Sequence, residues 1–144
     1  MLVGNIMTKE VVTITPTSSI GAAIELMRQH GFRRLPVVED DKLVGIVTDR
    51  DLRQATNSPL VLRERWYSEF LLEAIKVRSC MTANPITVEP STPVADAARR
   101  LRQHKIGGLP VVAADNSNCV VGMVTITDML DCLIHLLAPD ERSD

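Results

Sequence analysis

Leu35-Pro36-Val37-Val38 recurs as Leu109-Pro110-Val111-Val112, 74 residues further along the chain. Outward from this stretch the same offset carries Met7-Thr8 to Met81-Thr82, Thr13 to Thr87, Pro16 to Pro90, and Gln29-His30 to Gln103-His104. On its other side the offset becomes 77, because three residues are added between Ala113 and Cys119. There Gly45-Ile46-Val47-Thr48-Asp49-Arg50-Asp51 answers to Gly122-Met123-Val124-Thr125-Ile126-Thr127-Asp128. Self-similarity that holds in order over nearly the whole chain makes the sequence two copies of one unit.

Each copy reads the same way locally. Residues 11–15 and 86–88 are short and rich in β-branched residues, and Pro16 or Pro90 ends them, so each predicts a brief strand. A helix follows, with Ser18 or Thr92 as the expected N-cap and Pro93 at the first helical position. Its apolar residues, Ile20, Ala23, Ile24 and Met27 in one copy and Val94, Ala97, Ala98 and Leu101 in the other, keep the i, i+3, i+4, i+7 spacing of one helical face. Gly31 stops the first of these helices, and Gly107-Gly108 is expected to close the second. Two apolar strands come next, over 35–38 and 43–47, then 109–113 and 120–124. Asp40-Asp41 turns the first pair and Asp115-Asn116-Ser117-Asn118 the second. A second helix begins at Thr48 or Thr125. The order β-α-β-β-α, twice, predicts a mixed α/β (α+β) fold in which small apolar sheets are covered by helices. The expected division is 1–56 for the first repeat, 57–76 for a linker helix, 77–137 for the second repeat and 138–144 for a tail.

Composition narrows the function. The 144 residues are 45% hydrophobic and 24% charged, the balance of a folded globular chain rather than a disordered or fibrous one. Sixteen basic against eighteen acidic residues leave a net charge of −2, so nothing is available to neutralise a run of phosphates and nucleic acid is an unlikely partner. No apolar stretch nears the ~18 residues of a membrane span, and the first residues lack the pattern of a signal peptide. Three cysteines, odd in number and without metal-ligand spacing, fit a cytoplasmic protein. No nucleophile elbow, zinc-protease helix or phosphate-binding glycine loop occurs, so no catalytic residue or catalytic cofactor is assigned and the chain reads as a non-enzyme.

The residues with chemical potential sit at the strand-to-helix junctions. Thr48-x-x-Asp51 and Thr125-x-x-Asp128 have capping-box spacing, and a purely structural role accounts for them. The same geometry also suits a ligand: free N–H groups at a helix start and a threonine hydroxyl welcome an anion, while the aspartate suits a vicinal diol. Arg33-Arg34, in the turn before the repeated strand, is either solvated surface charge or a phosphate fork. The second copy has Gly107-Gly108 there, with Lys105 as the nearest cation, so the two sites cannot be equivalent. His30 and His104 fall in the last turns of their helices, where the dipole favours positive charge. The linker holds Trp66, Tyr67 and Phe70. Tyr67, Phe70, Leu71 and Ala74 share one helical face, which packs on its own repeat or closes a homodimer.

These motifs, in this order and twice over, resemble a tandem pair of cystathionine-β-synthase (CBS) domains, the Bateman module, and more loosely the stand-alone bacterial two-CBS proteins. The resemblance covers about 5–133. It implies two repeats packed as a pseudo-twofold pair with clefts between them, which in many members bind an adenosine compound: AMP, ADP, ATP or S-adenosylmethionine, with Mg²⁺ as an open question. On this likeness Asp51 and Asp128 would hold ribose hydroxyls, and Thr48 and Thr125 would contact phosphate or ribose. Arg33 and Arg34 align with phosphate-contacting residues. Thr127, in Thr125-Ile126-Thr127-Asp128, and the prolines Pro36 and Pro110 of the repeated strands complete the implied nucleotide-binding set, and loops 7–12 and 81–86 would lie against the adenine edge. Asp49, an acid where the second copy has Ile126, disfavours phosphate near Asp51. The expected protein is a non-catalytic, homodimeric sensor that reports an adenosine nucleotide to an unidentified effector; the alternative is a dimerisation module without ligand.

Overall fold

The structure, a computed structural model, describes residues 1–56 and 65–138, with backbone alone over 65–68. In chain order the elements are α1 (Val3–Ile6), α2 (Ile20–His30), β1 (Arg34–Glu39), β2 (Lys42–Thr48), α3 (Asp49–Thr56), α4 (Arg65–Ala74), β3 (Thr82–Ala83), α5 (Val94–His104), β4 (Gly108–Val112), β5 (Val120–Thr125) and α6 (Ile126–Leu137). They form two compact units, one of Val12–Pro85 and one of Met1–Val11 with Ile86–Asp144. Repeat and unit therefore divide the chain differently. The leader of each sequence copy is built into the unit that holds the other copy's sheet.

In the unit Val12–Pro85, β1, β2 and β3 form an antiparallel sheet in that order, with Leu35 opposite Val47 and Val37 opposite Gly45. The strand expected over 11–15 is reduced to one parallel bridge, Ile14 to Val37. The Ile14 N–H donates to the Pro36 carbonyl (3.1 Å) and the Val38 N–H to the Ile14 carbonyl (2.8 Å). Pro16 has no N–H with which to extend the ladder. Ile20, Ala23 and Met27 of α2 bury their shared face against Leu35, Val37, Val47, Leu52 and Val77. The other unit repeats the plan. Its antiparallel sheet is β4-β5, flanked by single-residue bridges from Val88 to Val111 and from Thr8 to Met123. Its core joins Val3 of α1 to Ala97, Leu101, Leu109, Val111 and Val124.

Helix ends differ in detail from the reading above. Ser19, not Ser18, caps α2: its hydroxyl accepts from the Ala22 N–H at 3.1 Å, while Ser18 is turned to the Thr15 hydroxyl at 2.7 Å. In α5 Pro93 itself holds the N-cap place, and Thr92 accepts instead from the Glu89 N–H. Gly31 closes α2 in the left-handed region (φ 68°), as expected, but α5 ends on Lys105 (φ 55°). Gly108 is already a buried residue of β4. Helix α4 turns Leu72 to its own unit, so of the two alternatives for the face of Phe70 and Ala74 the packing on its own repeat is not what forms. Leu72 and Ile75 join the core, and an added Cβ at Gly21 would lie 3.2 Å from the Leu72 carbonyl. That close approach of α4 to α2 fixes the rotation of the helix and leaves Phe70 and Ala74 exposed, with Leu71 half-buried. The side chains of Trp66 and Tyr67 lie outside the described residues.

Candidate functional site

Both strand-to-helix junctions are reciprocal caps. In the first copy the Thr48 N–H donates to Asp51 Oδ2 (2.9 Å) and the Asp51 N–H to Thr48 Oγ1 (3.1 Å). In the second the Thr125 N–H donates to Asp128 Oδ2 (2.9 Å), the Asp128 N–H to Thr125 Oγ1 (3.3 Å), and the Thr125 hydroxyl to the same Oδ2 (3.1 Å). Capping engages Oδ2 alone. The Oδ1 atoms of Asp51 and Asp128 accept no hydrogen bond among the described residues, and each carboxylate is half-buried at the positive end of a helix. The capping and ligand readings thus use different oxygens of one side chain, and each carboxylate retains acceptor capacity for hydroxyl donors.

Around Thr48 the first copy is charged. Arg34 pairs with Thr48 across the sheet, and the Asp49 N–H donates to the Arg33 carbonyl at 2.8 Å. Burial lowers the pKa of the half-buried Arg34 guanidinium from its usual value; Asp49 opposes this and Arg33 reinforces it. Neither guanidinium forms a hydrogen bond or ion pair among the described residues, whereas Asp49 meets Arg53 at 3.5 Å. In the second copy Gly108 pairs with Thr125, and the Ile126 N–H donates to the Gly107 carbonyl at 3.0 Å. No cationic side chain replaces the arginines in that register.

Three members of the implied set stand apart from this cluster. Thr127 is exposed and takes no part in the cap. Pro36 and Pro110 are fully buried within their units, and their carbonyls accept from the Ile14 and Val88 N–H groups. Among the histidines, His30 stacks on Phe32 with ring centroids 5.6 Å apart, and His104 is exposed at the end of α5. Cys80, which no motif singled out, lies near Asp51; burial and then that carboxylate raise its thiol pKa. Met81 and Met7 begin the loops 81–86 and 7–12 that the resemblance set against the adenine edge. Each thioether lies so close to a glycine, Gly45 or Gly122, that an added Cβ would sit 2.6 or 2.7 Å from sulfur. The recurrence of Met-Thr and Gly in both copies was the available signal. Among the described residues no cluster of His, Cys, Asp or Glu could hold a metal ion, and no helix is long and apolar enough to cross a membrane.

Comparisons with known proteins agree with this duplicated architecture. The CBS domain model matches residues 3–58 and 77–135. The chain is 41% identical over 140 residues to a CBS domain-containing protein of Dictyostelium discoideum, covering 96% of this chain and 95% of that one. It is also 37% identical over 121 residues to an inosine-5'-monophosphate dehydrogenase of Korarchaeum cryptofilum, but spans only 22% of that enzyme's length. Among solved structures, the CBS domain pair of protein MJ0100 in complex with 5'-methylthioadenosine and S-adenosyl-L-methionine superposes with a TM-score of 0.76 at 30% identity, covering 92% of this chain and 95% of that one. CBSX2 of Arabidopsis thaliana in complex with AMP superposes with a TM-score of 0.77 at 29% identity, covering 94% and 98%. With both copies matched by the family model and a relative aligned over nearly its full length, the chain belongs to the CBS domain family.

Proposed function

We propose that this protein is a non-catalytic regulatory module that binds an adenosine nucleotide at the strand-to-helix junctions of Asp51 and Asp128. One observation carries the reading: in both copies an aspartate uses Oδ2 to cap a helix, while its Oδ1 accepts no hydrogen bond among the described residues. A ribose diol supplies donors for that oxygen, and a phosphate finds positive potential at the helix end. The relatives solved with AMP, methylthioadenosine and S-adenosylmethionine support the ligand class. The Asp128 half-site is the stronger, because Ile126 stands where the first copy carries Asp49, an acid that repels phosphate. Arg33 and Arg34 favour a phosphorylated ligand on the Thr48 side. We place the protein in the cytoplasm, in keeping with three free cysteines.

Thermal melting with AMP, ADP, ATP, S-adenosylmethionine and NADH, each with and without Mg²⁺, tests this. A ligand that binds only the folded state at 100 times its Kd adds about 2.7 kcal/mol, which raises the Tm of a chain this size by roughly 5–10 °C. No shift with any of them leaves the ligand-free module as the function.

We further propose that the working form is a homodimer. Leu130, Leu133, Ile134 and Leu137 line one face of α6 and are 49–75% exposed, an apolar stripe of the kind that subunit contacts cover. Leu133→Glu with Ile134→Glu should convert the protein from dimer to monomer in sedimentation analysis while its circular dichroism stays that of the folded chain. A sedimentation profile unchanged by the substitutions would place the contact elsewhere.

A further inference from the structure

The two copies diverge most at a groove between α5 and the start of α6, inside the unit of Met1–Val11 and Ile86–Asp144. It is open to solvent and holds about 490 Å³ over a floor that includes Ala98, Leu101, Ile106 and Met129. Its size falls within the range of small-molecule sites. The repeat explains the opening. Where the first copy has Ile24, Phe32 and Arg33, the second has Ala98, Ile106 and Gly107. All three replacements are smaller, and all three line the groove.

Charge changes with shape. In α2 the Glu25 carboxylate holds Arg28 through two hydrogen bonds. The second copy puts Arg99 at the position of Glu25, so Arg102, the counterpart of Arg28, has no anionic partner among the described residues. Lys105 replaces Gly31 and is equally unpaired. It also holds a left-handed backbone (φ 55°), a conformation that glycine adopts freely and other residues resist. A residue kept against its backbone preference, with an unpartnered cation at the mouth of an apolar groove, points to function rather than to packing. Helix-dipole compensation does not require it, since Arg102 and His104 already occupy the last turn of α5.

We propose that this groove binds a single-chain amphiphilic anion, its apolar tail over Ala98, Leu101 and Met129 and its carboxylate or phosphate head between Arg102 and Lys105. Thr125 and Asp128 do not line the groove, so the proposal stands apart from the nucleotide reading. Calorimetric titration with decanoate, monodecyl phosphate and decanol, all below their aggregation concentrations, tests it. Either anion should bind one per chain, and decanol about tenfold more weakly or not at all. Lys105→Gly should lower anion affinity about tenfold while raising Tm by roughly 2–4 °C, because it removes a cation and a strained φ together. A mere helix cap would give the second effect without the first. Ala98→Ile, which restores the first copy's side chain, should abolish binding at unchanged fold. Unsaturable binding, equal affinity for decanol, or affinities unmoved in both variants would overturn the assignment, as would variants that change only the sedimentation coefficient.

Discussion

Gly122→Val should destabilise the protein by about 3 kcal/mol, at the upper end of what overpacking costs, and should free the first eleven residues to proteolysis. The added Cβ would stand 2.7 Å from Met7 Sδ and 3.0 Å from the Thr8 carbonyl oxygen. The methionine can swing aside, but the carbonyl cannot. It accepts from the Met123 N–H at 2.9 Å while the Thr8 N–H donates to the Met123 carbonyl at 2.8 Å, so the clash is with a pinned backbone. Relief requires the leader to leave its strand, and Val3, fully buried in that unit's core, is drawn out with it. Urea denaturation and limited proteolysis of the full chain read the two effects. Gly45→Val should behave alike in the other unit, where Met81 and the Thr82 carbonyl stand 2.6 and 3.0 Å from the new atom. A stability within 1 kcal/mol of the parent would mean that the leaders are held loosely, and that these glycines are not required for their close approach.

The leaders also mark where sequence reasoning ended. Repetition exposed the paired apolar strands, because each is a short apolar run bounded by turn residues: Leu35, Val37 and Val47 are sealed where the apolar pattern puts them. It exposed the junctions at Thr48 and Thr125, because capping is a local event with a fixed spacing. It could not show that Thr82-Ala83 completes the sheet containing Gly45, since edge pairing between distant segments leaves only two residues of pattern. The rotation of α4 was likewise hidden: Tyr67, Phe70, Leu71 and Ala74 make an apolar face as good as that of Leu72 and Ile75, and the deciding contact is a glycine on another helix. Charge at the candidate site was legible as residue type but not as partnership. Asp49 reads as an acid against phosphate, yet it meets Arg53 at 3.5 Å and faces Arg34, so part of its field is already balanced.

Asp128→Asn should lower adenosine-nucleotide affinity at least tenfold, about 1.4 kcal/mol, while leaving the fold intact. The asparagine carbonyl can take over the cap, accepting from the Thr125 N–H and hydroxyl as Oδ2 does at 2.9 and 3.1 Å. The other arm then changes from an acceptor to an N–H₂ donor, which cannot accept the ribose hydroxyls. Loss of the carboxylate charge at the helix start costs about 0.3–1 kcal/mol, so Tm should fall by no more than ~4 °C. Asp128→Ala removes both oxygens and therefore mixes the two roles, which makes asparagine the sharper test. Calorimetric titration beside thermal melting separates them: affinity lost at nearly constant Tm assigns the carboxylate to the ligand. Affinity retained at lowered Tm would assign it to the cap alone. Asp51→Asn, measured in parallel, states whether the half-site bearing Arg33 and Arg34 is used as well, since a chain with one working half-site responds to only one of the two substitutions.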